Sequence, residues 1–402
     1  MKIALLIKNK FFLASQHIFF GLTLAAFFPF LKKYLDVTVI SQIGIFLSFG
    51  LMGQVIVNYC FQITGQTLIK KQKIKPFLTS YFFDIFYTKL ALFLVLSIFL
   101  ILLCLIIDFE LFSTYFYLLI FGLPFCSVFN FTWVFYRLNQ FKFLFFLSLF
   151  TVVLQILCLY LFKDYPSNIL IILFLIFPYL IPQAITFIIL FKRATYKQYS
   201  LLRIINTINR GKEVFFSQVV SIFYGLGGVI LIKIFSDDQQ VADFLVIEKF
   251  FAPIISFSLL IIPASFPSII DNYNKKSYGS IINTIKFMIF VFSILFLVSF
   301  MLFFLFDEQL KFFFFDQITF SLKSSYFLIF LISFFGSCFT YILSLKRDYI
   351  FLRNVNITIF ILLAIFGPVS IIKMGAAGWI YIYFIVHFLI FSIYGKRILS
   401  FK

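Results

Sequence analysis

The sequence predicts an all-α polytopic membrane protein: about twelve transmembrane helices in two pseudo-symmetric six-helix bundles around a central cavity. Three observations carry this prediction. The first is composition. Of 402 residues, 63% are hydrophobic and 12% charged, and the mean hydropathy is +1.10, whereas soluble domains are about a quarter charged and about half apolar. The second is run length: apolar stretches long enough for a span of ~20 residues recur from end to end. The third is an internal echo. The chain opens Lys10-Phe-Phe-Leu-Ala-Ser-Gln and soon reaches Gly21-Leu22; past its midpoint it reads Lys212-Glu-Val-Phe-Phe-Ser-Gln and then Gly225-Leu226.

Between the echoes lies a basic passage holding Lys192, Arg193, Lys197, Arg203, Arg210 and Lys212, with Glu213 as the one nearby acid. We read it as a connector, so the chain divides into an N-terminal bundle at 1–191, a basic cytoplasmic connector at 192–213 and a C-terminal bundle at 214–402. The connector is expected to tether the halves with enough length to let them move.

The spans follow in order. The first, 11–31, follows Lys2, Lys8 and Lys10, which imitate a signal peptide; the run is too long for an h-region and lacks a small-x-small cleavage site. It carries His17, titratable near neutral pH and readable either as a proton or phosphate contact or as hydrogen-bonded packing. The second, 38–66, is long and tilted. Its Gln54, Asn58, Gln62 and Gln66 are four apart, which on one helix makes a slowly drifting stripe. Amides facing lipid cost several kcal/mol each, so the stripe faces other helices as hydrogen-bonding glue or walls a hydrated cavity; its length favours the cavity.

The third span, 82–107, starts with Asp84 and Lys89, whose five-residue spacing makes no strong helix pair. The fourth, 113–136, ends at Trp133 before Arg137 and Lys142, a typical interfacial anchor. The fifth and sixth occupy 143–162 and 168–191. The seventh, 214–235, holds Lys233 near its outer end, where it can snorkel. The eighth, 241–269, holds Glu248 and Lys249 well inside and is interrupted by Pro253, Pro263 and Pro267. A charge inside a span points to function by default, although a structural ion pair is the plainer reading. The last four are 284–306, 325–345, 350–372 and 377–395.

With the N-terminus inside, 23 loop and terminal Lys and Arg fall on the cytoplasmic side and six on the outer side, which also takes most of the acids. That asymmetry places both termini in the cytoplasm. Anionic headgroups account for the net charge of +18, so no nucleic-acid partner is expected. The five cysteines fall in apolar runs without CxxC spacing, which argues against disulfides and a zinc site. There is no HExxH, Walker A or GxSxG motif and every outer loop is short, so neither an enzyme nor a cofactor is expected.

The layout resembles the polysaccharide flippases of the multidrug/oligosaccharidyl-lipid/polysaccharide exporter superfamily, more narrowly the Wzx-type O-antigen flippases. The residues that carry the resemblance are Trp133-Val-Phe-Tyr-Arg-Leu-Asn-Gln-Phe-Lys142 after the fourth span, Phe215-Phe-Ser-Gln218 with Lys233-Ile-Phe and Val241-Ala-Asp-Phe, Phe266-Pro267, and Gly375-Ala-Ala-Gly378 before the last span. The resemblance implies a lumen lined by the first, second, seventh and eighth spans. It also implies an undecaprenyl-diphosphate-linked oligosaccharide substrate for O-antigen or lipopolysaccharide biosynthesis, a bacterial inner-membrane location, and a polysaccharide polymerase and chain-length regulator as partners beside membrane lipid. Gln54, Asn58, Gln62 and Gln66 suit the sugars, and Lys249 suits the diphosphate, with Glu248, His17 and Lys233 as further lumen residues. The alternatives are a drug/cation antiporter of the same superfamily, which calls for acids deep in the N-terminal half, and a membrane polysaccharide polymerase or ligase, which calls for a large outer loop.

Overall fold

The structure, a computed structural model, describes residues 34–69, 74–106, 117–164, 168–245, 278–305, 320–346 and 348–400, with Phe27, Leu31, Glu248, Ser265, Ile269 and Asn272. Among the described residues the regular elements are all helices. They are α1 (Val37–Asn58), α2 (Phe61–Leu68), α3 (Lys75–Ser80), α4 (Phe82–Ile106), α5 (Tyr117–Val128), α6 (Thr132–Arg137), α7 (Phe141–Asp164) and α8 (Asn168–Phe191). They continue as α9 (Leu201–Gly225), α10 (Gly227–Phe235), α11 (Tyr278–Leu305), α12 (Phe320–Leu345), α13 (Tyr349–Met374) and α14 (Ala376–Leu399). Among the described residues six stretches are long and apolar enough to cross a membrane, Val37–Gln66 and Ala376–Leu399 among them. This is a multi-pass membrane protein.

Seven expected spans each coincide with one helix: α4, α7, α8 and α11 to α14. The first span and most of the eighth lie outside the described residues. The other three are interrupted. The second breaks after Asn58, where Tyr59 and Cys60 take left-handed φ values of 45° and 54°, a conformation that costs an L-residue roughly 1–2 kcal/mol. The fourth is broken between Val128 and Thr132, and the seventh starts early, at Leu201, and breaks at Leu226.

The chain forms two compact units, one running from Gln42 to Leu226, the other joining the residues up to Ser41 with Gly227–Lys402. In the contiguous unit α7 and α5 both pack on α8. Aromatic rings from several helices fill its core: Phe82 lies 4.8 Å from Phe131, and Phe77 meets Trp133 edge-on at 5.5 Å. In the other unit α12 and α13 pack on α14, and Phe292 stacks on Phe334 at 3.8 Å. The turn from α13 to α14 passes through Gly375 at φ 60°, ψ −144°, a region open essentially to glycine alone. The Gln240 side chain accepts the freed Ala376 N–H at 3.0 Å.

The basic passage departs from the expected slack tether. From Leu201 it is helical, and it is docked along the contiguous unit. Lys197 Nζ donates to the Ser80 carbonyl at 2.8 Å, the Tyr87 hydroxyl donates to the Lys197 carbonyl at 3.2 Å, and Arg203 pairs with Asp84 at 3.4 Å. Farther along α9 the Tyr59 hydroxyl donates to the Ile208 carbonyl at 2.8 Å, and the Tyr59 ring stacks on Phe215 at 4.3 Å. The strained turn after α1 is therefore braced by α9.

Candidate functional site

Two of the helix breaks meet at one side chain. Where α5 stops at Val128, the carbonyls of its last turn have no helical partner and carry the negative end of the helix dipole. Lys89, fully buried on α4, reaches them. Its Nζ donates to the Asn130 carbonyl at 2.6 Å, the Ser127 carbonyl at 3.2 Å and Asn58 Oδ1 at 3.4 Å. Three acceptors match the three N–H groups of an ammonium. The Phe131 ring centroid lies 4.9 Å from Nζ and that of Phe61 5.9 Å, adding cation–π attraction.

Asn58, the last residue of α1, ties the cluster together. Its Oδ1 also accepts from Asn130 Nδ2 at 3.1 Å, and its Nδ2 donates to Ser127 Oγ at 3.3 Å. Asn130 Oδ1 accepts in turn from the Thr132 hydroxyl at 2.8 Å. Each oxygen around Lys89 is neutral. Among the described residues no carboxylate is within ion-pair distance of it, so an ammonium here is solvated by neutral oxygens with no counter-ion among them. Burying such a charge costs several kcal/mol, while a hydrogen bond to a charged group returns about 1.5–3 kcal/mol.

The expected amide stripe is corrected. The left-handed turn at Tyr59–Cys60 resets the helical phase, so residues four apart across it no longer share a face. Gln54 is buried on α1, Asn58 is half-buried in the Lys89 cluster, Gln62 is exposed, and Gln66 is buried with Oε1 lacking a hydrogen-bond partner among the described residues. Lys233 pairs with Asp238 at 2.6 Å on the surface. Burial pushes the Asp238 carboxyl up, but the hydrogen bond from Lys233, the Ser41 hydroxyl and the charge of Lys233 together outweigh it and hold the group below its ordinary value. Glu248 lies within electrostatic reach of Tyr383, whose ring meets His387 edge-on at 4.4 Å. His387 Nδ1 is 3.2 Å from Ser333 Oγ, so these four residues form a second polar group, in the other unit. His17 and Lys249 lie outside the described residues. The sequence reading missed Lys89, Ser127 and Asn130 as a group. Among the described residues no three His, Cys, Asp or Glu side chains gather to hold a metal.

No protein-family model and no curated protein matches the chain. Solved structures do. The MATE multidrug transporter DinF-BH superposes with a TM-score of 0.65 at 17% identity, covering 99% of this chain and 95% of its own. The eukaryotic MATE transporter AtDTX14 gives 0.62 at 13% identity, over 99% and 96%. A transporter of the MOP superfamily from Pyrococcus furiosus, described as having a binding pocket of reverse polarity that suggests a different function, gives 0.61 at 11% identity, over 98% and 96%. The chain thus has the MATE-like fold of two six-helix bundles.

Proposed function

We propose that this chain is an alternating-access transporter for an amphiphile with an anionic, glycan-bearing head, and that it flips an undecaprenyl-diphosphate-linked oligosaccharide from the cytoplasmic to the outer leaflet. The observation that carries this reading is buried Lys89 in a shell of amide, hydroxyl and carbonyl oxygens, with no counter-ion among the described residues. The described carboxylates of the same unit are Asp84, held by Arg203, Asp164 at the end of α7, and Glu213 on α9. A unit whose buried charge is positive favours an anion. Lys89 has its three donors engaged, so it acts through its potential, while Lys249 is the proposed direct contact with the diphosphate. Asn58, in the Lys89 shell, and Gln54 on the same helix are proposed to meet the sugars, with His17 and Glu248 as further contacts. A membrane potential negative inside drives an anionic head outward by ~2.3 kcal/mol per charge per 100 mV.

The named neighbours include a multidrug transporter, so export of a cationic drug is the second reading. Glu248, beside Tyr383 and His387, is the observation that favours it. Deletion in a bacterial host separates the two. Flipping predicts loss of surface polysaccharide, accumulation of lipid-linked repeats on the cytoplasmic face and unchanged drug susceptibility. Repeats that still reach the outer leaflet at normal rates would sink the first reading, and drug hypersensitivity would support the second.

A further inference from the structure

The connector presents a surface that neither substrate reading uses. After α8 ends at Phe191, the chain runs through Lys192–Ser200 into α9. Tyr196 is 70% exposed, Tyr199 59%, Leu201 60% and Leu202 74%, with Ile205 at 44%. Single exposed apolar side chains are ordinary, but a contiguous group of this size marks an interaction face. The group is held in place. Tyr196 has one edge on Phe83 at 5.5 Å and Tyr199 one edge on Tyr87 at 5.8 Å, while the Lys197 and Arg203 contacts pin the backbone on either side. Among these apolar groups stand exposed Lys192, Arg193 and Lys212. Along α9, Leu201, Ile205, Lys212 and Phe216 fall within one narrow sector at 100° per residue, so the outward stripe is apolar with a cation set in it.

We propose that residues 192–216 form an interfacial element that binds the anionic-lipid surface of the leaflet at the end of α8. Amphipathic rings sit at headgroup depth, aliphatic side chains enter the acyl boundary, and juxtamembrane Lys and Arg draw anionic headgroups. The charge of the patch selects that occupant over a zwitterionic leaflet. Its attachment to a span end, within a few residues, puts the patch at the right depth. The proposal holds whichever substrate the chain carries.

The test uses the full chain carrying Tyr199→Trp, reconstituted in phosphatidylcholine vesicles containing either brominated phosphatidylglycerol or an equal fraction of brominated phosphatidylcholine. Tyr199 is exposed, so folding is not at stake, and the signal of the buried Trp133 and Trp379 is subtracted with the parent protein. The expected result is quenching about twofold stronger with the brominated anionic lipid. Lys192→Gln, Arg193→Gln and Lys212→Gln together should return it to parity. Added emission that is red-shifted, open to acrylamide and untouched by either lipid would place the segment in water and overturn the proposal. Equal quenching by both lipids before neutralisation would overturn its anionic selectivity.

Discussion

The Lys89 nitrogen lies 2.6 Å from the main-chain carbonyl oxygen of Asn130, so a buried side chain of one helix supplies a donor to the break between two others. The contact depends on the stop in the fourth expected span: a continuous helix through 128–132 would have consumed that carbonyl in its own ladder. The second expected span contributes Asn58 for the same reason, since its helix also ends at the cluster. Two interrupted helices thus make one polar centre around a buried lysine. Discontinuous helices of this kind are the usual way a transporter fold builds polar sites inside a membrane.

Replacing that nitrogen separates function from fold. In Lys89→Met two carbonyls and an amide oxygen lose a partner, at about 1–3 kcal/mol each, while relief from burying an ammonium returns several kcal/mol. Stability should change by less than about 2 kcal/mol, and transport at matched protein level should fall more than about tenfold. Thermal unfolding in detergent, paired with a leaflet-accessibility assay, reads both. Unaltered transport would make Lys89 purely structural.

The bracing of the Tyr59–Cys60 turn can be loosened from the other side. A Cβ on Gly211 would sit 3.0 Å from Tyr59 Cε1 and 3.4 Å from Cys60 Sγ, so the branched side chain of Gly211→Val overpacks the contact at a cost of roughly 1–3 kcal/mol. Tyr59→Ala removes the obstacle. A double-mutant cycle should give a coupling of roughly 0.5–3 kcal/mol; simple additivity would show that the turn and α9 are independent.

Acid titration should expose the Lys233–Asp238 pair. The folded state holds the Asp238 carboxyl below its ordinary value, so its contribution is present above the unfolded carboxylate range and is lost as pH falls through the lowered value. The side chains are 40% and 32% exposed, and screening limits the pair to about 1 kcal/mol or less. Wild type and Asp238→Asn should therefore differ slightly in melting temperature at neutral pH and converge in strong acid.

Among the candidate cations, Lys249→Ala should impair export more than Lys233→Ala, because Lys233 already has a carboxylate partner on the surface. Complementation of surface polysaccharide at equal expression checks the order. Equal, near-normal rescue by both would remove Lys249 from the site.

Span positions were legible because membrane burial writes itself as run length, and α4, α7, α8 and the last four helices fall where the apolar runs lie. The interruptions were not. The turn after Asn58 is made by a tyrosine and a cysteine, neither of which signals positive φ, and its stability comes from residues 208–215, far along the chain. Lys89 was judged against Asp84 on its own helix, whereas its partners are mostly backbone carbonyls, which no side-chain pattern announces. The start of α9 had a signal in Ser200, a residue type favoured at helix starts, followed by a polar-apolar mixture unlike a span. The basic charge of that passage, between the two echoing halves, pointed instead to a connector.

The division of the chain also bears on its biosynthesis. One unit is a single uninterrupted stretch, so its helices can associate as they leave the ribosome. The other takes in the residues up to Ser41 and everything from Gly227 onward, and α1 itself begins in one unit and ends in the other. Assembly of that unit therefore waits until the last helices have been made. A stalled or truncated chain ending near Leu226 would hold all of one unit and lack most of the other.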